Sequence, residues 1–561
     1  MPVERGRSIS WVLRRIDGRG YKAYKDLLGA SERVGRLLVR VVRVQGDPYA
    51  PPSVARVEAG LRLPPWARGA EAAVADLVYR RLHRALAARS GRLGEGRSGF
   101  LGVPRPGPVM LRRSGVEVHP DGRVVVRAWV GLPSSRRRVL GDAAEELLLR
   151  RLPRAVEEAL SLDGAELRRH VETWRLQEEL RAALPRRRLV AFVGDGSILP
   201  RRCGGCDDPL PGAVPFESPP SLRVEIETSV ETVTGMGVRR GVTVIAGTAF
   251  HGKTTLLEAL QHGIYNHVPG DGRERVVSLR GTVKVRAEDG RRVSCVDIET
   301  FVHSLPGGRG TGCFTTVDAS GATSMAAAIQ EAVELGAELI LVDEDTSATN
   351  LLFYDERAEP LLRRKTVTTV SEQAASIAAE AASLVIISSG SMPLIASADT
   401  TIVMEDYRAR DATPEARRLA ERYKPPERRY RPPRCRRLRR GPGLEKPKLR
   451  GRWLDDRRLE EPLDLGFNEQ LAEEGQLQLL AALAAHADRH AGMTLGEIAA
   501  WLDETLAREG FQGLLGGEPG PGLAEVRGVD YAMMLNRLPI EAEQLPSRCR
   551  RGGEGKEGEG P

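Results

Sequence analysis

Aromatic residues make up only 4% of this 561-residue chain, and cysteines number six. With so few rings to stack on bases, any nucleic acid would be held through its backbone and released by salt. Cys203, Cys206, Cys295, Cys313, Cys435 and Cys549 are too sparse in so long a chain for a disulfide framework, and predict free thiols in a reducing compartment. Cys203 and Cys206 form a lone CxxC; a closed zinc site takes four ligands, so the pair reads as a Gly-rich loop rather than a metal or redox centre. Long apolar runs are missing too. AELILV and SLVIISS fall well short of the roughly 20 residues of a membrane span, and MPVERGRSISWVLRR carries no apolar signal region, which predicts no membrane partner and a cytoplasmic location.

What is present is charge, unevenly placed. Lys and Arg total 84 against 76 Asp and Glu, a net charge of +8. Residues 422–452 alone carry fourteen Arg or Lys against Glu427 and Glu445, so the rest of the chain is slightly acidic. Prolines and glycines run through this segment, which cannot continue a helix and reads as a basic linker. Its chemistry suits a nucleic-acid backbone and, equally, a solvated tether.

Hydrophobic residues at 41% can fill the cores of about three or four domains. Residues 1–220 mix Val-rich strands (RLLVRVVRVQGD, GRVVVRAWVGL) with helical patterns (GAEAAVADLVYRRLHRALAARS, LGDAAEELLLRRLPRAVEEALSL), predicting an N-terminal α/β or α+β domain. The Gly- and Pro-rich RRCGGCDDPLPGAVPFESPPS reads as a connection. Over 221–420 short apolar strands alternate with helices, as in a nucleotide-binding α/β core. The basic linker occupies 421–455. Residues 456–546 read helical, with apolar residues three or four apart in EGQLQLLAALAAHADRH and TLGEIAAWLDETLAREG. The tail, 547–561, has nothing to bury and is predicted to be disordered.

In GVTVIAGTAFHGKTTLLEAL an apolar strand over 242–246 runs into Gly247-Thr-Ala-Phe250-His251-Gly252-Lys253-Thr254 and then into a helix. That is GxxxxGK[ST] in the strand-loop-helix setting the motif requires. Glycines let backbone N–H groups converge on phosphates, and the helix N-terminus adds positive potential. Lys253 reaches the β and γ oxygens, and Thr254 offers a hydroxyl to Mg²⁺. The residues expected to line a nucleotide are Gly247, Phe250, His251, Gly252, Lys253, Thr254 and Thr255, with no catalytic role for His251.

AELILVDEDTS supplies the acid that such a loop needs. Residues 339–342 read as a buried strand, with Asp343 and Glu344 at its C-terminal end. Asp343 is expected to hold Mg²⁺ through water, and Glu344 to polarise the attacking water. Upstream, Ala319-Ser320-Gly321-Ala322-Thr323 heads a helix over 325–335 that leads into this strand, and Thr346-Ser347-Ala348-Thr349-Asn350 follows it. Order and spacing resemble the ATP-binding-cassette class, whose Ser-Gly signature caps such a helix. Ala322 and Thr323 stand where that signature has glycine and glutamine.

A wider set of blocks narrows the resemblance: IDGRGYKAYKDLLG, VQGDPYAPPS, GSILPRR, AVPFESPPSLRV, GMGV, FHGKTTLLEALQHGIYNHVPGDGRE, VRAEDGRRVSCVDIETF, ASGATS, DEDTSATN, EEGQLQLLAAL and MLNRLP. Together they are similar to the predicted ATPases of the ABC class, a soluble, non-transporter P-loop family, over nearly the whole chain. The resemblance implies an ABC-type P-loop core, an N-terminal domain of its own and a C-terminal helical region. It implies ATP and Mg²⁺ as cofactors and a nucleotide-sandwich homodimer in which Ser320 and Gly321 cover the partner's nucleotide. For some relatives it also implies association with RNA.

Two absences separate the chain from transporter ATPases. Gln261, inside the helix after the loop, is the only glutamine between Gly241 and Ser320, so the usual glutamine loop is missing. No histidine occurs between Asp343 and His486; the switch position falls near Ser388, Ser389 and Gly390. The interval from Lys253 to Ser320 is too short for a transporter-type helical subdomain, and VKVRAEDGRRVSCVDI is predicted to form a hairpin turning at Asp289-Gly290. The expected function is ATP hydrolysis, with Glu344 and Lys253 catalytic, in a homodimer that gates nucleic acid, RNA foremost. The alternative is a nucleotide-dependent RNA- or protein-binding scaffold with negligible turnover. A small-molecule kinase would need a phosphate-clamping lid, and the signature helix argues against it. In GRGYKAYK, Arg19, Tyr21, Lys22 and Lys25 are candidates to approach nucleotide or RNA; a solvated basic turn with a packed tyrosine accounts for them equally.

Overall fold

The computed structural model describes residues 7–305, 308, 310–354, 365–421, 423 and 426–549. The chain divides into two compact units. The first comprises Met1–Arg175, Glu473–Leu479 and Glu509–Glu525, and the second Leu176–Ala472, Leu480–Arg508 and Val526–Pro561. The residues expected to form a C-terminal helical region do make helices, α6 (Glu474–Ala484), α7 (Leu495–Leu515) and α8 (Gly528–Leu535), but they are shared between the two units. The tail from 550 onward lies outside the described residues.

The first unit is built on an antiparallel sheet of β1 (Ser31–Val34), β2 (Leu37–Arg43), β3 (Ser53–Gly60), β4 (Leu101–Gly102), β5 (Val116–Val118) and β6 (Arg123–Val130), ordered β1-β2-β3-β6-β4 with β5 also on β6. β2 buries every second residue, the period-2 pattern of a half-covered strand. Its helices include α1 (Ile9–Ile16) and α2 (Glu71–Arg89), and α2 buries Val74, Leu77, Val78, Leu82 and Leu86. Also in α2 is the fully buried Asp76. It meets Arg80 at 2.7 Å, His170 at 2.9 Å and Arg113, whose Nε donates to Glu473 at 2.8 Å. Burial alone would raise the Asp76 carboxyl, but Arg80 and Arg113 hold it far below the usual carboxylate range. Through this network residue 473, more than three hundred positions away in sequence, belongs to the N-terminal core.

In the second unit, six strands make a mostly parallel sheet: β10 (Val242–Ala246), β12 (Thr282–Val285), β15 (Leu339–Asp343), β16 (Ser383–Ser388), β17 (Thr400–Glu405) and β18 (Arg408–Asp411). Their order is β12-β15-β16-β10-β17-β18, with only β17 and β18 antiparallel. β10, β15 and β16 are buried at every position, as strands covered on both faces must be. One face, through Ile245, Leu339, Leu341, Val385 and Ile387, packs on α3 (Lys253–His262) and on an antiparallel sheet. That sheet comprises β7 (Leu189–Gly194), β8 (Arg223–Glu227), β9 (Thr232–Arg239) and β11 (Val276–Ser278). The other face, through Val244, Ala246, Ile340, Val342, Leu384 and Ile386, packs on α4 (Gly321–Glu334) and α5 (Val370–Glu380). Each Val, Leu or Ile so buried contributes about 1.5–3 kcal/mol. Because β7 belongs to this second unit, the observed division falls at 175/176 rather than near 220.

Three expectations are corrected. VKVRAEDGRRVSCVDI is not a hairpin: its first strand, β12, pairs in parallel with β15, while β13 (Val293–Val296) pairs with β14 (Phe314–Thr316). Asp289-Gly290 does turn the chain, with Gly290 at φ 82°, but the two arms leave for different sheets. The basic linker is not a free tether. Residues 434–440 form β19 (Arg434–Arg440), paired antiparallel with β20 (Glu541–Arg548), and Tyr430 and Arg436 are buried. Proline and glycine do exclude a helix there, but β20 brings Glu541 and Glu543 within ion-pair reach of Arg440 and Arg439, which matches part of the charge. Finally, the cysteines are not free: Cys203–Cys206, Cys295–Cys313 and Cys435–Cys549 are disulfides. The last two join residues 18 and 114 positions apart, proximities that only the folded strands create.

Candidate functional site

β10 ends at Ala246 and the chain turns through 247–252 into α3, as the motif requires. Gly247 has φ 141°, and a Cβ there would stand 2.5 Å from the Met404 carbonyl oxygen. Gly252, at φ 93°, caps α3 in the left-handed region. Lys253 Nζ donates to the Thr248 carbonyl at 2.7 Å, so the ammonium already lies over the loop. Thr254 is exposed and Thr255 half-buried, and among the described residues the Thr254 hydroxyl has no hydrogen-bond partner. Phe250, at φ 68°, is 93% exposed. His251 turns away: its Nδ1 accepts from the Asp406 N–H at 2.8 Å. Two glycines that allow close backbone approach, one exposed hydroxyl and one cation over the loop fit a polyphosphate with its metal.

The acids stand two strands away. Asp343 shares a rung with Ile387 of β16, and Ile387 with Ile245 of β10, so it lies about 10 Å across the sheet from the loop strand. Its Oδ1 accepts from Asp345 N–H at 3.2 Å, and burial pushes the carboxyl above its ordinary value. Among the described residues, Ser389 is the one that holds the Glu344 carboxylate. Ser389 N–H donates to Oε2 at 2.7 Å, and Ser389 Oγ lies 3.1 and 3.2 Å from the two carboxylate oxygens. Ser388 Oγ accepts from Ser391 N–H at 2.9 Å and so shapes the turn that presents Ser389.

Ser320 and Gly321 are not brought to this loop. Ser320 caps α4, accepting from Thr323 N–H, and Gly321 packs beside Ala287 and Asp289, just beyond the end of edge strand β12. β12 lies three strand positions, about 14 Å, from β10. In the first unit Tyr21 is buried, its hydroxyl donating to the Leu132 carbonyl, so it is the packed tyrosine; Arg19, Lys22 and Lys25 are exposed.

Sequence reasoning missed three participants. Lys284, on β12, is buried against Glu469, and both act electrostatically on Asp343. A lysine in the Val-rich TVKV could have signalled the first, but nothing in EPLDLGFNEQ marks the second. Tyr407 is the third. With Asp406 it forms the two-residue turn between β17 and β18, both at positive φ, and its ring lies against Gly252. Such turns favour Asn-Gly, so an exposed tyrosine here is held in a strained conformation beside the loop.

A phosphate loop on a parallel sheet, with an acid pair on the next strand but one, defines a P-loop ATPase core of ABC type. A family model of the ABC_ATPase P-loop domain matches residues 163–437, and a model of the N-terminal region of ATPases of the ABC class matches 7–163. Together they span most of the chain, which belongs to the ATPases of the ABC class. An uncharacterised protein of Methanocaldococcus jannaschii is 31% identical over 244 residues, 42% of this chain; the chain spans about half, 54%, of that relative's length. An ATP-binding cassette of an ABC transporter, in its ADP conformation, aligns over 36% of this chain and 95% of its own, at 11% identity and a TM-score of 0.23, too remote to bear on function. Among the described residues no helix is long and apolar enough to cross a membrane, and no α-helix stands between α3 and α4, where transporter cassettes have a helical subdomain.

Proposed function

We propose that the chain binds ATP with Mg²⁺ at residues 247–255 and hydrolyses it, with Glu344 orienting the attacking water. The observation that carries this reading is the clamp on Glu344 by Ser389 at the end of β16, the strand lying between the acid pair and the phosphate loop. A carboxylate fixed by a backbone N–H keeps one face for a water molecule, and a held base loses little entropy on reaction. Lys253 would move from the Thr248 carbonyl to phosphate oxygen, and Thr254 and Asp343 are the residues that would hold the metal. Mg²⁺, when bound, supplies charge neutralisation at the phosphates.

Because Ser320 and Gly321 lie past the end of edge strand β12, three strand positions from the loop strand, a second copy is the natural source of the signature over each nucleotide. The reading is therefore a homodimer closing on ATP. Exposed Arg434, Arg437, Arg439 and Arg440 on β19 support gating of nucleic acid, RNA foremost, through backbone contacts. Glu344→Gln is expected to lower phosphate release by about 10²–10⁴-fold and to accumulate an ATP-bound dimer. A purely monomeric elution profile with ATP and Mg²⁺ would sink the dimer. A second reading, a nucleotide-dependent scaffold with negligible turnover, is favoured by Ser389, which stands where a titratable histidine is usual. ATP retained for hours by the unmodified protein without phosphate release would select it.

A further inference from the structure

A cavity of about 320 Å³ opens in the second unit at the N-terminal end of α5. It lies on the α4/α5 face of the parallel sheet, opposite the face that carries α3. Its walls come from Thr300 and His303, from the stretch 365–372 and from three arginines, and among the described residues they present four cations, Lys365, Arg428, Arg429 and Arg431, against one carboxylate, Glu372. That carboxylate is committed. It accepts from the Thr369 N–H at 2.9 Å and from Lys365 Nζ at 2.6 Å.

The arginines are not similarly engaged. Arg429 lies 3.5 Å from Glu380 and Arg431 3.8 Å from Glu299, exposed pairs of small worth. The Arg428 guanidinium has no partner among the described residues, although its backbone N–H is anchored on the Glu372 carbonyl. Three exposed arginines within four residues border one opening, and an anion seated there would offset their mutual repulsion. Tyr430, pointing the other way into the core with its hydroxyl on Gln330, holds the arginine-bearing stretch in place.

We infer that this cavity is a second anion site, for a phosphate-bearing ligand, independent of the loop at 247–254. Its volume is at the low end of small-ligand sites, about 300–1,000 Å³, which admits a phosphate ester or a nucleotide and excludes a duplex. Among the described residues no Phe, Tyr or Trp lines it, Val367 is its one apolar wall, and the ring of His303 is tied to Thr368 Oγ1 at 2.6 Å, so it reads phosphate and not base. Binding is therefore salt-dependent and indifferent to the base. Two sources share this chemistry: a free phosphate compound and the terminal phosphate of a single strand.

The test uses the full chain carrying Lys253→Ala, which disables the phosphate loop. Calorimetry with inorganic pyrophosphate, and anisotropy with 3′-labelled oligouridylates bearing a 5′-phosphate or a 5′-hydroxyl, are run at about 50 and about 200 mM salt. Arg428→Ala/Arg431→Ala, added to that background, is expected to weaken binding at least about tenfold and leave the melting temperature unchanged. The same pair in the otherwise native chain should leave ATP affinity as it was. Pyrophosphate binding without oligonucleotide binding identifies a free phosphate compound; preference for the 5′-phosphorylated strand identifies a polynucleotide end. Failure of every probe to bind, or equal binding by the double variant, overturns the site.

Discussion

Asp343 shows how one residue divides between stability and chemistry. Its carboxyl is buried at the end of a strand with a single N–H donor on Oδ1, and desolvation raises it above the ordinary carboxylate value. A raised carboxyl means that folding favours the protonated form. The burial therefore costs nothing below the unfolded value, and its cost appears as pH rises through the folded one. Asp343→Asn should accordingly raise the melting temperature of the nucleotide-free protein at neutral pH, while abolishing the Mg²⁺ dependence of ATP binding. A melting temperature that falls instead would contradict this account of the burial. The sequence pointed to Asp343 and Glu344 because acids at the end of an apolar strand have few purposes beside a phosphate loop. It could not reveal that Ser389 holds Glu344, since that contact depends on β16 lying next to β15.

At the scale of elements, α4 is the informative case. IQEAVELG looks like a helix with a solvated acidic face, yet Glu331 and Glu334 are buried. Arg291 pairs with Glu331 at 2.9 Å, and Arg436, from the segment expected to be a linker, donates its backbone N–H to Glu334 at 2.6 Å and its Nε at 2.9 Å. Arg436 also reaches the Ser294 carbonyl and Asn536. β19 is therefore bound to the core by a charge that composition offered equally to a nucleic-acid backbone and to solvent. Arg436→Met strands Glu334 without its cation and should cost about 3–5 kcal/mol, whereas Arg436→Met with Glu334→Leu should recover most of that loss. Urea titration of the three proteins checks it, and equal losses in the single and double variants would show that the pair is not the cause. The strand at 242–246 and the helix after it were readable from local pattern. The false hairpin at 282–296 was not separable from a true one, because a turn at Asp-Gly says where the chain bends and not which strands then pair.

For the whole molecule, whose two compact units are each assembled from discontinuous segments, burial by residues distant in sequence shapes the pH response of individual groups. His490 in the second unit packs on Trp501 at 4.6 Å and Tyr531 at 5.8 Å, and among the described residues its buried Nε2 has no hydrogen-bond partner. Burial, with Arg489 adding to it, lowers its pKa to about 4. Since the unfolded histidine titrates near pH 6.5, protons bind the unfolded chain first as pH falls. Stability from this group is full above about pH 6.5 and is lost progressively down to about pH 4. His490→Phe, which keeps the ring contacts, should flatten the stability profile over that interval relative to the unmodified chain; parallel profiles would remove His490 as the cause. Sequence alone determined the class of this protein, because a phosphate loop, an acidic strand end and a signature helix are local patterns set by backbone geometry within a few residues. Tertiary structure alone decided the rest. It paired the cysteines, turned a basic stretch into a strand, placed Ser389 on Glu344 and left the signature at the far edge of the sheet. Each of these depends on which strands lie side by side, and that is settled by packing across the whole core and not by any stretch of sequence read by itself.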